Sequence, residues 1–101
     1  ERIHGDRTQN LELAINTLQQ ALQVLGKVAT SLQWATAQLN LGNAYSDRIE
    51  GDIAENLEQA IAAYQHALQV YTPEDFPFNW AATQMNLGAA YRERIRGTRT
   101  D

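Results

Sequence analysis

The sequence predicts an all-α chain folded as a solenoid of helical hairpins, and three observations carry that prediction. Gln38-Leu39-Asn40-Leu41-Gly42-Asn43-Ala44-Tyr45 returns as Gln84-Met85-Asn86-Leu87-Gly88-Ala89-Ala90-Tyr91, a gap-free spacing of 46 residues. The same offset carries Ala21-Leu22-Gln23-Val24 onto Ala67-Leu68-Gln69-Val70, Trp34-Ala35 onto Trp80-Ala81, and Arg2-Ile3 onto Arg48-Ile49 and then Arg94-Ile95. A fixed period of roughly 20 to 50 residues marks one supersecondary unit stacked on itself. Finally, apolar residues recur at alternating steps of four and three, and no stretch alternates with the period of two that a strand requires.

Each element follows from local residues. Residues 1–5 match the end of a preceding repeat, and a chain opening at Glu1 is expected to be a piece of a longer protein. The first helix is expected over residues 6–26, because Leu11, Ile15, Leu18, Leu22 and Leu25 share one face; Asp6 and Gln9 give it a weak capping box. A second helix, rich in Ala, Gln and Leu, is expected over 31–49, with Gly51 just past its end. Between them, Gly26-Lys27-Val28-Ala29-Thr30-Ser31 admits either a turn or a fused helix, since one interior Gly costs only about 1 kcal/mol. Alignment with the proline-broken second junction favours the turn, whereas fusion would invite domain swapping.

The third helix is expected over 52–72, where Leu57, Ile61, Tyr64, Leu68 and Tyr71 repeat the spacing and Asp52 with Glu55 forms a capping box. Pro73 and Pro77 break the chain after it, because each lacks a backbone donor and restricts its predecessor. Pro77 then opens a fourth helix over 77–96, with Gly97 expected to stop it and residues 97–101 left as a tail. All of this makes one domain, 1–101. Leu11, Ile15 or Leu18 of the first helix is expected to be exposed unless something covers it.

Composition narrows the function classes. A formal net charge of −4 argues against nucleic acid or an anionic membrane as partner, since both need a basic face. Without cysteine there is no disulfide framework, thiolate nucleophile or thiolate metal site. No apolar run approaches the ~20 residues of a membrane span. With 101 residues, about two thirds of the chain's surface is buried on folding, so the core is thin.

Leu41-Gly42 with Tyr45, and Leu87-Gly88 with Tyr91, resemble the first-helix signature of the tetratricopeptide repeat. Ala60, Tyr64 and Ala67, and before them Ala14, Leu18 and Ala21, resemble its second helix. Small residues at Gly42 and Gly88 let helix axes approach, so a bulky residue at either is expected to be disruptive. The repeat is about 12 residues longer than the roughly 34-residue form, the excess falling in the two turns, and Trp34 and Trp80 lie four residues upstream of the usual position, held here by Gln38 and Gln84. The chain is similar to the long repeats of bacterial, notably cyanobacterial, multidomain proteins and, more distantly, to those of kinesin light chains. The resemblance implies a right-handed superhelix of about two repeats, a cytoplasmic location, and a scaffold that binds a protein or peptide partner.

Carrying over the family's concave groove gives Leu39, Asn40, Asn43, Ser46 and Asp47, then Met85, Asn86, Ala89, Arg92 and Glu93. Asn40 and Asn86 are equivalent; an Asn can hold a peptide backbone, or ladder to the neighbouring repeat. The partner-binding set expected is Leu39, Asn40, Asn43, Met85, Asn86, Arg92 and Arg96. The Arg92, Arg94, Arg96 and Arg99 cluster suits either a carboxylate ligand or the negative end of a helix dipole. Trp34 and Trp80 recur and are expected to pack in the core. His4 and His66 are not equivalent and have no partner at ligand spacing, so no metal or other cofactor is expected. Ser31 and Ser46 have no base beside them, and no enzyme activity is expected. The alternative function is structural: dimerisation or stacking through uncapped end faces or a swapped helix, motivated by the need of solenoids for about three repeats and for caps.

Overall fold

A computed structural model describes residues 7–28, 31–48 and 51–99. They form α1 (Arg7–Val28), α2 (Ser31–Asp47), α3 (Ile53–Ala67) and α4 (Pro77–Arg99), with no strand among the described residues. Each helix packs on the next, and α2 also touches α4. Neighbours run antiparallel: Glu12 near the start of α1 bonds Arg48 just beyond α2, and Gln19 Nε2 donates to the Tyr45 hydroxyl at 2.9 Å. The fold is a helical-hairpin solenoid of the tetratricopeptide type.

That antiparallel packing excludes a fused α1–α2 helix. The reversal is not at Gly26, since α1 continues through it to Val28; residues 29 and 30 lie outside the described residues. At the next junction Gly51 takes φ 79°, the left-handed conformation that glycine adopts freely. Asp52 follows as N-cap, its Oδ1 accepting from Ala54 N at 2.9 Å and Glu55 N at 3.4 Å. α3 stops at Ala67, short of the expected 72, because tighter bonds from Gln69 N to His66 O and Val70 N to Ala67 O turn the chain. The turn carries Tyr71 into the core, edge-on to Phe76 at 5.9 Å. Gly97 does not end α4, which runs to Arg99, because Gly97 keeps the negative φ of the helix.

Three apolar clusters join the helices. Ile15 packs with Leu41, Ala44 and Ala63; Ala60, Ile61 and Tyr64 pack with Leu87 and Ala90; and Ala35 packs with Ala67 and Tyr71. Ile15 is only 6% exposed because α2 supplies the cover that it needs, with Leu18 packed half-buried beside it. Trp34 and Trp80 are half-buried against the Ala35 cluster, with His66 5.9 Å from the Trp34 ring.

The two repeat glycines have different surroundings. A Cβ at Gly42 would sit 2.6 Å from Tyr64 Cε1, inside any tolerable contact, whereas a Cβ at Gly88 would meet nothing within 4 Å. Gly42 and Gly88 therefore differ in packing: the helix that crowds the first has no counterpart against the second among the described residues. Gly42→Ala should destabilise the fold by about 1–3 kcal/mol through overpacking, while Gly88→Ala should be neutral or stabilise it by up to about 1 kcal/mol. Urea denaturation of the two variants checks this; equal losses would contradict it.

Polar groups lock the α2–α3 turn. Arg48 grips the Glu12 carboxylate with Nε and Nη2, and its Nη1 donates to Asn56 Oδ1 at 2.9 Å. Asn56 Nδ2 returns a bond to Arg48 O at 3.3 Å, so this buried amide is satisfied on both sides. Hydrogen bonding from Arg48 outweighs partial desolvation and, with its charge, holds Glu12 below the usual carboxylate range. A pKa depressed in the folded state means that the contribution is complete above the ordinary carboxylate value and lost as pH falls through the folded one. Glu12→Gln should accordingly lower the melting temperature near neutral pH and make no difference in acid. Melting curves across that window check it; an unchanged gap between the two proteins at low pH would contradict it.

Candidate functional site

An open cleft of about 420 Å³ lies where α2, α3 and α4 meet. α2 contributes Asn43, Ser46 and Asp47, α3 contributes Leu57 and Tyr64, and α4 contributes Asn86, Ala89, Ala90 and Glu93. Helical spacing explains the walls, since residues three and four apart fall on one face. Tyr64, 1% exposed, forms the floor; its ring fills the space that Gly42 leaves.

The floor is a polar network. The Tyr64 hydroxyl donates to Asn43 Oδ1 at 2.7 Å and accepts from Ser46 Oγ at 3.1 Å. Asn86 Nδ2 donates to the same Asn43 oxygen at 3.0 Å, which ties the two repeats together and fills both lone pairs of that oxygen. Asn43 Nδ2 and Asn86 Oδ1 are left as donor and acceptor at the cleft wall. Burial pushes the Tyr64 hydroxyl above its ordinary pKa; the Ser46 bond opposes the shift and the Asp47 charge adds to it. Asp47 and Glu93 stand at the lip in exposed ion pairs, with Arg7 at 3.5 Å and with Arg96 at 2.9 Å. Exposed pairs of this kind are worth about 0–1 kcal/mol and are readily exchanged for another cation.

Of the expected partner-binding set, the cleft brings together Asn43 and Asn86. Leu39 does not line the cleft: it is half-buried against two core clusters, because α3 covers that side of α2. Asn40 is exposed and does not line the cleft. The ladder therefore joins Asn86 to Asn43, one turn beyond its equivalent Asn40, because Asn43 is the residue that lies opposite across the cleft. Met85 is 74% exposed on the outer side of α4, also away from the cleft. Arg92 is exposed outside it, and Arg96 reaches it only through Glu93. Arg94 is held elsewhere, bonded to Glu58 and 5.0 Å above the Tyr91 ring; the Arg99 side chain lies outside the described residues.

Tyr64 and Leu57 were legible as fillers of the core layer, and only the packing of α4 on α2 and α3 places the tyrosine hydroxyl at a cleft. The signal available in sequence was the pairing of Tyr64 with Asn43 and Ser46, all three of which change together to Leu18, Ala89 and Arg92 at equivalent positions. Among the described residues no three His, Asp or Glu side chains gather as a metal-holding group, and no helix is long and apolar enough to cross a membrane. His4 lies outside the described residues.

No curated protein and no solved structure matches the chain significantly. Residues 34–77 match the family model of the tetratricopeptide repeat, which places the matched unit on α2, α3 and the turn that follows. The match begins at Trp34 and takes in Gly42, Tyr45, Ala60, Tyr64 and Ala67, the residues whose packing builds the hairpin. The matched central hairpin, a little under half of the chain, and the four antiparallel helices that contain it support a tetratricopeptide-like repeat protein.

Proposed function

We propose that the chain is a protein-interaction module that binds an extended segment of a partner protein in the cleft between α2 and α4. Tetratricopeptide repeats serve in general as protein-interaction scaffolds. The observation that carries the finer reading is the Asn43–Tyr64–Asn86 network, which leaves the amide donor of Asn43 and the amide acceptor of Asn86 on residues that line a cleft of about 420 Å³. Such a pair matches the donor and acceptor of one peptide unit without demanding a particular side chain. Specificity comes from the lip, where Asp47 and Glu93 favour a segment carrying Lys or Arg that displaces Arg7 or Arg96. The arginine cluster, which the sequence offered as a carboxylate site, is engaged with Glu58 and Glu93 through Arg94 and Arg96.

Binding to a positional-scanning peptide library tests the reading. Peptides with at least one Lys or Arg should be selected, and Asp47→Asn with Glu93→Gln should weaken them about tenfold, the equivalent of ~1.4 kcal/mol. Asn86→Ala should weaken all selected peptides alike, whatever their side chains, and cost the fold about 0.5–1.5 kcal/mol through the lost inter-repeat bond. Met85→Ala, outside the cleft, serves as the control. If the library yields no peptide with a preference for the unsubstituted protein over these variants, the cleft is not the site.

A further inference from the structure

The direction of the hydrogen bonds under the cleft decides what its walls can offer a ligand. The Tyr64 hydroxyl has a single proton, and that proton goes to Asn43 Oδ1 at 2.7 Å. The 3.1 Å bond between Tyr64 and Ser46 is therefore donated by Ser46 Oγ. Ser46 lines the cleft and is exposed, yet its proton is turned to the floor, so its hydroxyl meets a ligand only as an acceptor. Next to it on α2 is the Asp47 carboxylate and across the cleft on α4 the Glu93 carboxylate, and an ionised carboxylate only accepts. With the Asn43 and Asn86 amides engaged on one peptide unit, three acceptor groups on two helices, and no donor among these lining side chains, remain for a ligand side chain. Leu57, Ala89 and Ala90 add apolar surface to the same cleft.

We propose, resting on the reading that the partner segment lies in this cleft, that the side chain it selects is arginine in preference to lysine, and that Tyr64 sets the preference by holding the Ser46 hydroxyl as an acceptor. A guanidinium carries a planar fork of five N–H donors and accepts nothing, so it can engage a carboxylate with two of them and reach a further acceptor with the rest. An ammonium is a compact point with a tightly held water shell, and in an open cleft it keeps much of that water instead of meeting acceptors spread over two helices. The apolar surface serves the stem of either side chain, so the discrimination lies in the head group. The carboxylates already hold guanidinium groups: Asp47 pairs with Arg7 Nη2 at 3.5 Å and Glu93 with Arg96 Nη1 at 2.9 Å. An entering arginine replaces like with like and adds a bond to the Ser46 oxygen. Tyr64 is a positioning residue in this scheme. By taking the Ser46 proton it fixes the acceptor in advance, and a hydroxyl that donates into a chain of hydrogen bonds is polarised into a better acceptor.

Titration of the ¹⁵N-labelled chain with three capped pentapeptides, followed by NMR, tests this. Each has alanines flanking one central residue: arginine, lysine, or citrulline, which keeps the planar head without its charge. Shifts should centre on Asn43, Ser46, Asn86 and Glu93. The arginine peptide should bind roughly fivefold tighter than the lysine peptide, as one added hydrogen bond to a charged group allows, with citrulline the weakest. Ser46→Ala should bring the two cationic peptides to nearly equal affinity, and Ser46→Thr, which keeps a hydroxyl, should restore the preference. Tyr64→Phe keeps the ring that lies against Gly42 and should also level the two peptides although Ser46 is in place. A merely structural role for the tyrosine hydroxyl would weaken both peptides and leave their ratio alone. Met85→Ala, outside the cleft, should leave the ratio unchanged. Equal binding of arginine and lysine at the cleft, citrulline bound as tightly as arginine, or a ratio that survives Ser46→Ala or Tyr64→Phe would overturn the selectivity while the cleft stays the site. Shifts centred elsewhere, or no binding of any peptide, would overturn the cleft reading together with it.

Discussion

The close approach of α3 to α2 at Gly42 is the constraint on which the rest depends. Tyr64 lies against the glycine where any Cβ would collide with it, and that depth of seating puts its ring among Ala60, Ile61, Leu87 and Ala90 while its hydroxyl reaches Asn43 and Ser46. One side chain therefore fixes the spacing of α2 and α3, supplies the surface on which α4 packs, and forms the floor of the cleft. Asn43 can hold Asn86 across the repeats only because the tyrosine hydroxyl already orients its amide. Packing and recognition share a residue here, so a substitution at Tyr64 that merely trims the ring would open the core and reshape the site together.

Arg48 does for the ends of the helices what Tyr64 does for their middles. It sits where the chain leaves α2, and its guanidinium joins Glu12 of α1 to Asn56 of α3. The planar fork of donors suits a carboxylate on one side and an amide oxygen on the other, which a lysine could not span. Arg94 repeats the grip on Glu58, so the α1–α2 and α3–α4 hairpins are closed by the same device. Glycine at position 51 permits the turn beside it, and Asp52 restarts the helix within one residue.

Much of the fold was legible because its determinants are local or periodic. The gap-free repeat, the four-three apolar rhythm, Asp52 as cap and Pro73 with Pro77 as breakers each act within a few residues, and helices form where they indicate. The sequence could not distinguish Gly42 from Gly88, since the difference is a helix packed on the first and none on the second among the described residues, a property of position along the stack and not of the residue. Leu39 and Met85 were equated for the same reason, yet one is packed in the core and the other is bare. Within the candidate site, Asn43 and Asn86 could be named from the repeat, but their pairing with each other could not, because it depends on how far α4 slides along α2. The end of α3 was misplaced because Tyr71 keeps helical spacing in sequence while the backbone has already turned, drawn by the Thr36 hydroxyl and the Phe76 ring.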